Sequence, residues 1–115
     1  ITKDQTVVAR EVELGNITEE QALTDPRRNQ LLQCVGASPK VVPEMYFGEA
    51  HSNGVYMLCS DGFRHKISVE EIYQNFSPDV LLDENIMNDQ CEKLIELNKR
   101  RNEKDNISVA LVRTF

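Results

Sequence analysis

Two carboxylates carry the most chemical information in this sequence. Asp61 lies in Cys59-Ser60-Asp61-Gly62-Phe63, just after the apolar run Val55 to Cys59, and Asp105 lies in Lys104-Asp105-Asn106-Ile107, just before the run Ile107 to Val112. If the two runs are antiparallel strands of one sheet, the end of the first and the start of the second share an edge. The aspartates are then expected to converge. Two anions about 4 Å apart repel by roughly 4 kcal/mol at an effective dielectric near 20, a cost that a divalent cation turns into attraction. Oxygen-only ligands select Mg or Mn over zinc. Asp-Gly and Asp-Asn are also ordinary turn dipeptides, and on spacing alone the turn reading leads.

Other reactive residue types have simpler readings. Asp83-Glu84-Asn85-Ile86-Met87-Asn88 begins like a calcium loop, but Asn88 stands where Gly is wanted and Leu94 where the closing Glu belongs. An acidic helix N-terminus explains it better. His51 and His65 fit no metal spacing and read as surface histidines, His65 in a loop between Gly62 and Ser68. Cys91 falls on the apolar side of a helix and reads as core. Lys99-Arg100-Arg101, with Lys104, complements a helix C-terminus.

The elements that must position these residues follow from caps and periodicity. Asp4 and Thr6 both offer N-cap oxygens and Gly15 a stop for a short helix over residues 6 to 14, and Thr18 with Gln21 forms a capping box for a second that Pro26 ends. Leu31 to Val35 suggest a strand, and Val41, Val42, Met45 and Phe47 another. Val55 to Cys59 is the strongest strand, with the unbroken apolar run expected of a strand covered on both faces. Ser68 and Glu71 cap a helix bearing Ile72 and Phe76, and a longer amphipathic helix spans about 84 to 101. Ile107 to Val112 closes the chain as a strand.

Composition bounds the function classes. At 115 residues, 40% in the hydrophobic set, the chain fits one compact domain and not a disordered segment. A formal net charge of −6 disfavours a phosphate backbone, so no nucleic-acid partner is expected. Cys34, Cys59 and Cys91 form neither a disulfide framework nor a zinc knuckle, which suggests reduced thiols in a cytoplasm. No apolar run approaches the roughly 20 residues that cross a bilayer and no basic-then-apolar leader opens the chain, so no membrane role is expected. Asn-x-Ser/Thr triplets at Asn16, Asn75 and Asn106 then read as chance. The start at Ile1 suggests a piece of a longer protein.

Taken as motifs, the two aspartate segments resemble C-terminal motifs of the metal-dependent Ser/Thr protein phosphatases, the PPM or type two-C family. Ile1-Thr2-Lys3-Asp4-Gln5-Thr6, Glu13-Leu14-Gly15, Ile17-Thr18-Glu19-Glu20-Gln21-Ala22, Pro26-Arg27-Arg28-Asn29 and Val35-Gly36 resemble the segment running through the flap of bacterial members. Four blocks, around Asp4, Pro26, Asp61 and Asp105, match in order, and the resemblance covers essentially the whole chain. The resemblance implies an α+β chain, part of an α-β-β-α sandwich of antiparallel sheets flanked by helices. Residues about 1 to 36 would be a flap-like helical segment, and about 41 to 115 would carry the strands, helices and metal-site aspartates.

By the same resemblance, Asp61 and Asp105 would ligate one of two Mg or Mn ions that activate water against a phosphomonoester, and Asp61 would also touch a third ion. Arg27, Arg28 and Asn29 would face a phosphoprotein substrate, although an exposed Arg pair also reads as solvated surface. The chain has Asp4-Gln5-Thr6 where the family often has Asp-His-Ser, and Asp25-Pro26 where it often has His-Pro. The phosphate-binding Arg, the Glu-Asp pair, the bridging Asp-Gly-x-Gly-Gly aspartate and the Gly-Asp-Ser segment have no counterpart. The expectation is therefore the C-terminal portion of a cytoplasmic phosphatase, inactive alone and lacking its N-terminal half. Faces cut from such a sandwich would self-associate, so a homodimer of the fragment is expected. The alternative is a non-catalytic phosphatase-like interaction or regulatory module. A small acidic domain with coincidental motifs is a third reading, which the four-block match opposes.

Overall fold

The computed structural model describes all 115 residues, which divide into two compact units, Ile1–Gly48 and Glu49–Phe115. In the first unit, α1 (Val7–Glu13) and α2 (Glu19–Thr24) form where their caps predict. Thr6 Oγ1 accepts the Ala9 amide, satisfying one of the donors a helix start leaves free. Gly15, at φ +77°, ends α1: the Gly15 amide donates to the Val12 carbonyl and the Asn16 amide to the Glu11 carbonyl. This paired closure requires a left-handed residue after the cap, which glycine adopts without strain. Thr18 and Gln21 make a complete capping box.

The strands expected at Leu31 to Val35 and around Val41 to Phe47 do not form. Leu31 makes one isolated bridge to Thr6. Residues 34 to 38 close into a turn through Ser38 N to Cys34 O at 2.9 Å, with Gly36 at φ +85°. At Val42 a side chain replaces the missing ladder: Gln33 Nε2 donates to the Val42 carbonyl at 2.6 Å, and Gln33 Oε1 accepts the Val42 amide at 2.7 Å. Apolar β-formers become strand only against a partner surface, and no second strand faces residues 41–48 within this unit.

The second unit is α+β. β1 (Val55–Cys59) pairs antiparallel with β2 (Val109–Arg113), in a register running from Val55 opposite Arg113 to Cys59 opposite Val109. α3 (Asp61–Arg64) follows β1 at once, then α4 (Val69–Phe76) and α5 (Glu84–Arg100). The core is Phe63, Ile67, Phe76, Leu81 and Leu94, against which Val55, Met57, Cys59, Val109 and Leu111 pack from one face of the sheet. Phe63 and Phe76 stack with centroids 6.0 Å apart. The expectation that both faces of Val55 to Cys59 are covered is corrected here, because Leu58 on the other face is 64% exposed. The final strand starts two residues later than expected, residues 107 and 108 leading into it.

Candidate functional site

The antiparallel register puts the turn after β1 and the turn before β2 at one end of the sheet. Ser60 fastens them together. Its amide donates to the Ser108 carbonyl at 3.0 Å, its hydroxyl donates to the Asn106 carbonyl at 2.9 Å, and the same oxygen accepts the Ser108 amide at 3.0 Å. Asp61 opens α3 and Asp105 lies in the turn leading to β2; both are exposed. Asp61 Oδ1 accepts the Gly62 amide and Asp105 Oδ1 accepts the Asn106 amide, each at 2.8 Å, so each carboxylate is oriented by the residue that follows it.

Gly62 explains why these turns can touch. A Cβ there would overlap the carbonyl oxygen of Asn106 and come within 3.2 Å of the Asp105 Cβ. The Asp-Gly pair is therefore a matter of close approach as well as of turn preference.

The arrangement fits part of a hard-cation site. Its donors are carboxylate oxygens, already oriented and at one edge, which is the ligand chemistry of Mg or Mn. No group of three or more His, Cys, Asp and Glu side chains is gathered anywhere in the chain to hold a metal ion.

Three supporting residues escaped the sequence reading. In the sequence Ser60 shows only as the residue between a strand and Asp61. Asn98 is wholly buried, its Nδ2 donating to the carbonyls of Phe63 at 2.9 Å and Leu94 at 3.0 Å. Its signal was a polar residue four positions after Leu94, on the helix side that otherwise supplies core. Glu103 Oε1 accepts the amides of Lys104 at 2.8 Å and Asp105 at 2.9 Å. The Asp105 amide, ahead of the Lys104 amide, holds the Glu103 carboxyl below the usual carboxylate range despite its burial. His65, expected in a loop, is the C-cap residue of α3, with Nδ1 3.4 Å from Glu103 Oε2.

In the first unit, Arg27 is engaged by Asp25: Nε and Nη2 donate to the two carboxylate oxygens at 3.1 and 2.8 Å, and the Arg27 amide donates to Oδ1 at 2.8 Å. These hydrogen bonds from Arg27 lower the Asp25 pKa. Arg28 and Asn29 are exposed. Cys34, Cys59 and Cys91 are free thiols, and burial raises the pKa of Cys91, as suits a core position. No helix is long and apolar enough to cross a membrane.

No protein-family model matches the chain. Over 112 residues it is 33% identical to the serine/threonine protein phosphatase PstP of Mycobacterium tuberculosis, covering 96% of this chain and 20% of that protein. It is 30% identical to the protein phosphatase PhpP of Streptococcus pneumoniae, covering 97% of this chain and 44% of that protein. The solved serine/threonine phosphatase of S. agalactiae superposes on the whole chain with a TM-score of 0.83 at 30% identity, covering 46% of that structure. The chain thus spans less than half the length of these relatives.

Proposed function

We propose that this chain, a member of the PP2C-type serine/threonine phosphatase family, supplies the C-terminal portion of a Mg- or Mn-dependent phosphoprotein phosphatase domain. The observation that carries the reading is the shared sheet edge at which Asp61 and Asp105 stand on turns joined through Ser60. In this reading both carboxylates hold one divalent cation, and each is pre-oriented by the amide that follows it. A cation bound there lowers the pKa of water and offsets charge on phosphoryl oxygens. The chain's own task is positioning: Ser60 keeps the two turns at a set spacing, and Gly62 lets them approach. Exposed Arg28 and Asn29, with Arg27 braced by Asp25, are the residues of the flap-like segment that would meet a phosphopeptide.

The two aspartates alone give an incomplete ligand set, so the isolated chain is expected to hold Mg or Mn weakly and to hydrolyse a phosphopeptide no faster than buffer containing the same Mn. In the full gene product, Asp61→Asn or Asp105→Asn should lower Mn-dependent phosphopeptide hydrolysis by at least the roughly 10- to 100-fold that loss of an outer-shell partner typically costs. Unchanged turnover at saturating Mn in both variants would overturn the reading and favour a non-catalytic interaction module.

A further inference from the structure

The end of α5 reaches both aspartate turns. Arg101 caps the helix and Asn102 follows at φ +61°, the left-handed residue of a paired closure. The Asn102 amide donates to the Lys99 carbonyl at 3.0 Å, and the Glu103 amide donates to the Asn98 carbonyl at 3.1 Å. This stop fixes where the chain leaves the helix, and hence where Glu103 begins. The residue that accepts the Glu103 amide is also the one whose buried side chain grips α3: Asn98 Nδ2 donates to the carbonyl of Phe63, two residues beyond Asp61.

From that anchor the Glu103 side chain folds over the following backbone. It is 6% exposed, an unusual degree of burial for a carboxylate. One oxygen accepts two successive amides, the second belonging to Asp105 itself. The other faces His65 at the C-terminal end of α3. Glu103 therefore touches the backbone of one aspartate turn and the helix that carries the other.

We infer that Glu103 is the positioning residue for Asp105, acting as an acceptor that holds the Lys104 and Asp105 amides while Asn98 locks the end of α5 onto the Asp61 turn. This rests on the reading of Asp61 and Asp105 as cation ligands. The role belongs to an acceptor oxygen in a given place and not to a negative charge near the site, and the two can be separated. Glu103→Gln keeps an acceptor at Oε1 and removes the charge. Glu103→Met keeps length and burial and removes both.

The test compares these variants with Asp105→Asn in the full gene product. Mn affinity is read from the loss of the free-ion signal in electron paramagnetic resonance, and amide exchange at Lys104 and Asp105 is read without metal. Glu103→Met should weaken Mn binding roughly 10- to 100-fold, as loss of an outer-shell partner does, and speed exchange at both amides. Glu103→Gln should stay within about threefold of the parent and keep both amides protected, because an amide oxygen accepts as a carboxylate does.

In turnover, Glu103→Met should raise the Mn concentration needed for half-maximal rate more than it lowers the rate at saturating Mn. Equal weakening in the Gln and Met variants would assign the effect to charge and overturn the inference. Parent-like Mn affinity in Glu103→Met with weakened affinity in Asp105→Asn would also overturn it, leaving the metal reading standing. Unchanged affinity in Asp105→Asn would overturn the metal reading itself. Exchange at the two amides would still report whether Glu103 holds the turn.

Discussion

The two units obey the same local rules and differ in what stands behind those rules. Each has a capping box, Thr18 with Gln21 in the first and Ser68 with Glu71 in the second. Each ends a helix through a left-handed residue, Gly15 in one and Asn102 in the other. Yet Val8 is the only buried residue of the first unit, whereas five hydrophobic residues form a buried cluster in the second. Local hydrogen bonding can specify a short helix, but helices this short gain most of their stability from packing. The candidate site lies in the unit that has the packing, on elements held by a core.

The largest test of this contrast removes the centre of that core. Phe63 is fully buried, stacks on Phe76 and begins two residues after Asp61, so Phe63→Ala should cost about 3–5 kcal/mol. Residue-resolved amide exchange should show protection lost across β1, α5 and β2, while α1 keeps what protection it has. Equal loss in α1 and α5 would mean that the two units unfold as one and would break the comparison.

A smaller effect separates two glycines that a sequence shows as equivalent. At Gly62 an added Cβ meets the Asn106 carbonyl, while at Gly15 it meets nothing within 4 Å but sits at φ +77°. Gly62→Ala should therefore cost about 1–3 kcal/mol by overpacking and shift the amide resonances of Asp105 and Asn106. Gly15→Ala should cost about 1 kcal/mol through backbone strain and stay local to the end of α1. Undisturbed Asp105 and Asn106 resonances in Gly62→Ala would show that the two turns do not depend on this contact.

What could be read from the sequence follows the same divide between local and non-local causes. Both capping boxes, the Gly15 stop, the long helix and the two paired strands were legible, because each is written within a few residues. The antiparallel relation of β1 and β2 could be conjectured, since the carboxylates stand after one strand and before the other. The strands expected in the first unit failed because apolar β-formers carry no information about whether a partner strand lies beside them; Gln33 took that place at Val42. α3 went unread because a single turn leaves almost no periodicity. Ser60, Asn98 and Glu103 were missed for another reason: their roles exist only once α5 lies against α3 and β2 returns beside β1.

The smallest predicted effect distinguishes the two capping boxes by chemistry. In the second unit the box is closed by a carboxylate, and Arg101 from the end of α5 adds a bidentate pair, Nη1 to Glu71 Oε2 at 2.8 Å and Nη2 to Oε1 at 2.6 Å. The hydrogen bonds from Arg101, then that from the Ser68 amide, lower the Glu71 pKa from its ordinary 4.5 to about 2. Because the folded value lies below the unfolded one, the stabilisation is fully present above about pH 4.5 and is lost as pH falls through about 2. Being solvent-accessible, the pair is screened and its effect on overall stability is small, so a local probe is the better reporter. The Ser68 amide, which donates to Glu71 Oε2 at 2.9 Å, should show a proton-resonance step with a midpoint near pH 2. Gln21 closes the box in the first unit with a neutral amide, so the Thr18 amide should show no step there. Glu71→Gln makes the second box chemically like the first: the step at Ser68 should vanish while the cap itself persists, because the amide oxygen still accepts. A Ser68 step at an ordinary carboxylate pH in the parent protein would mean that Arg101 does not hold Glu71 in solution, and the end of α5 would lose one of its anchors to α4.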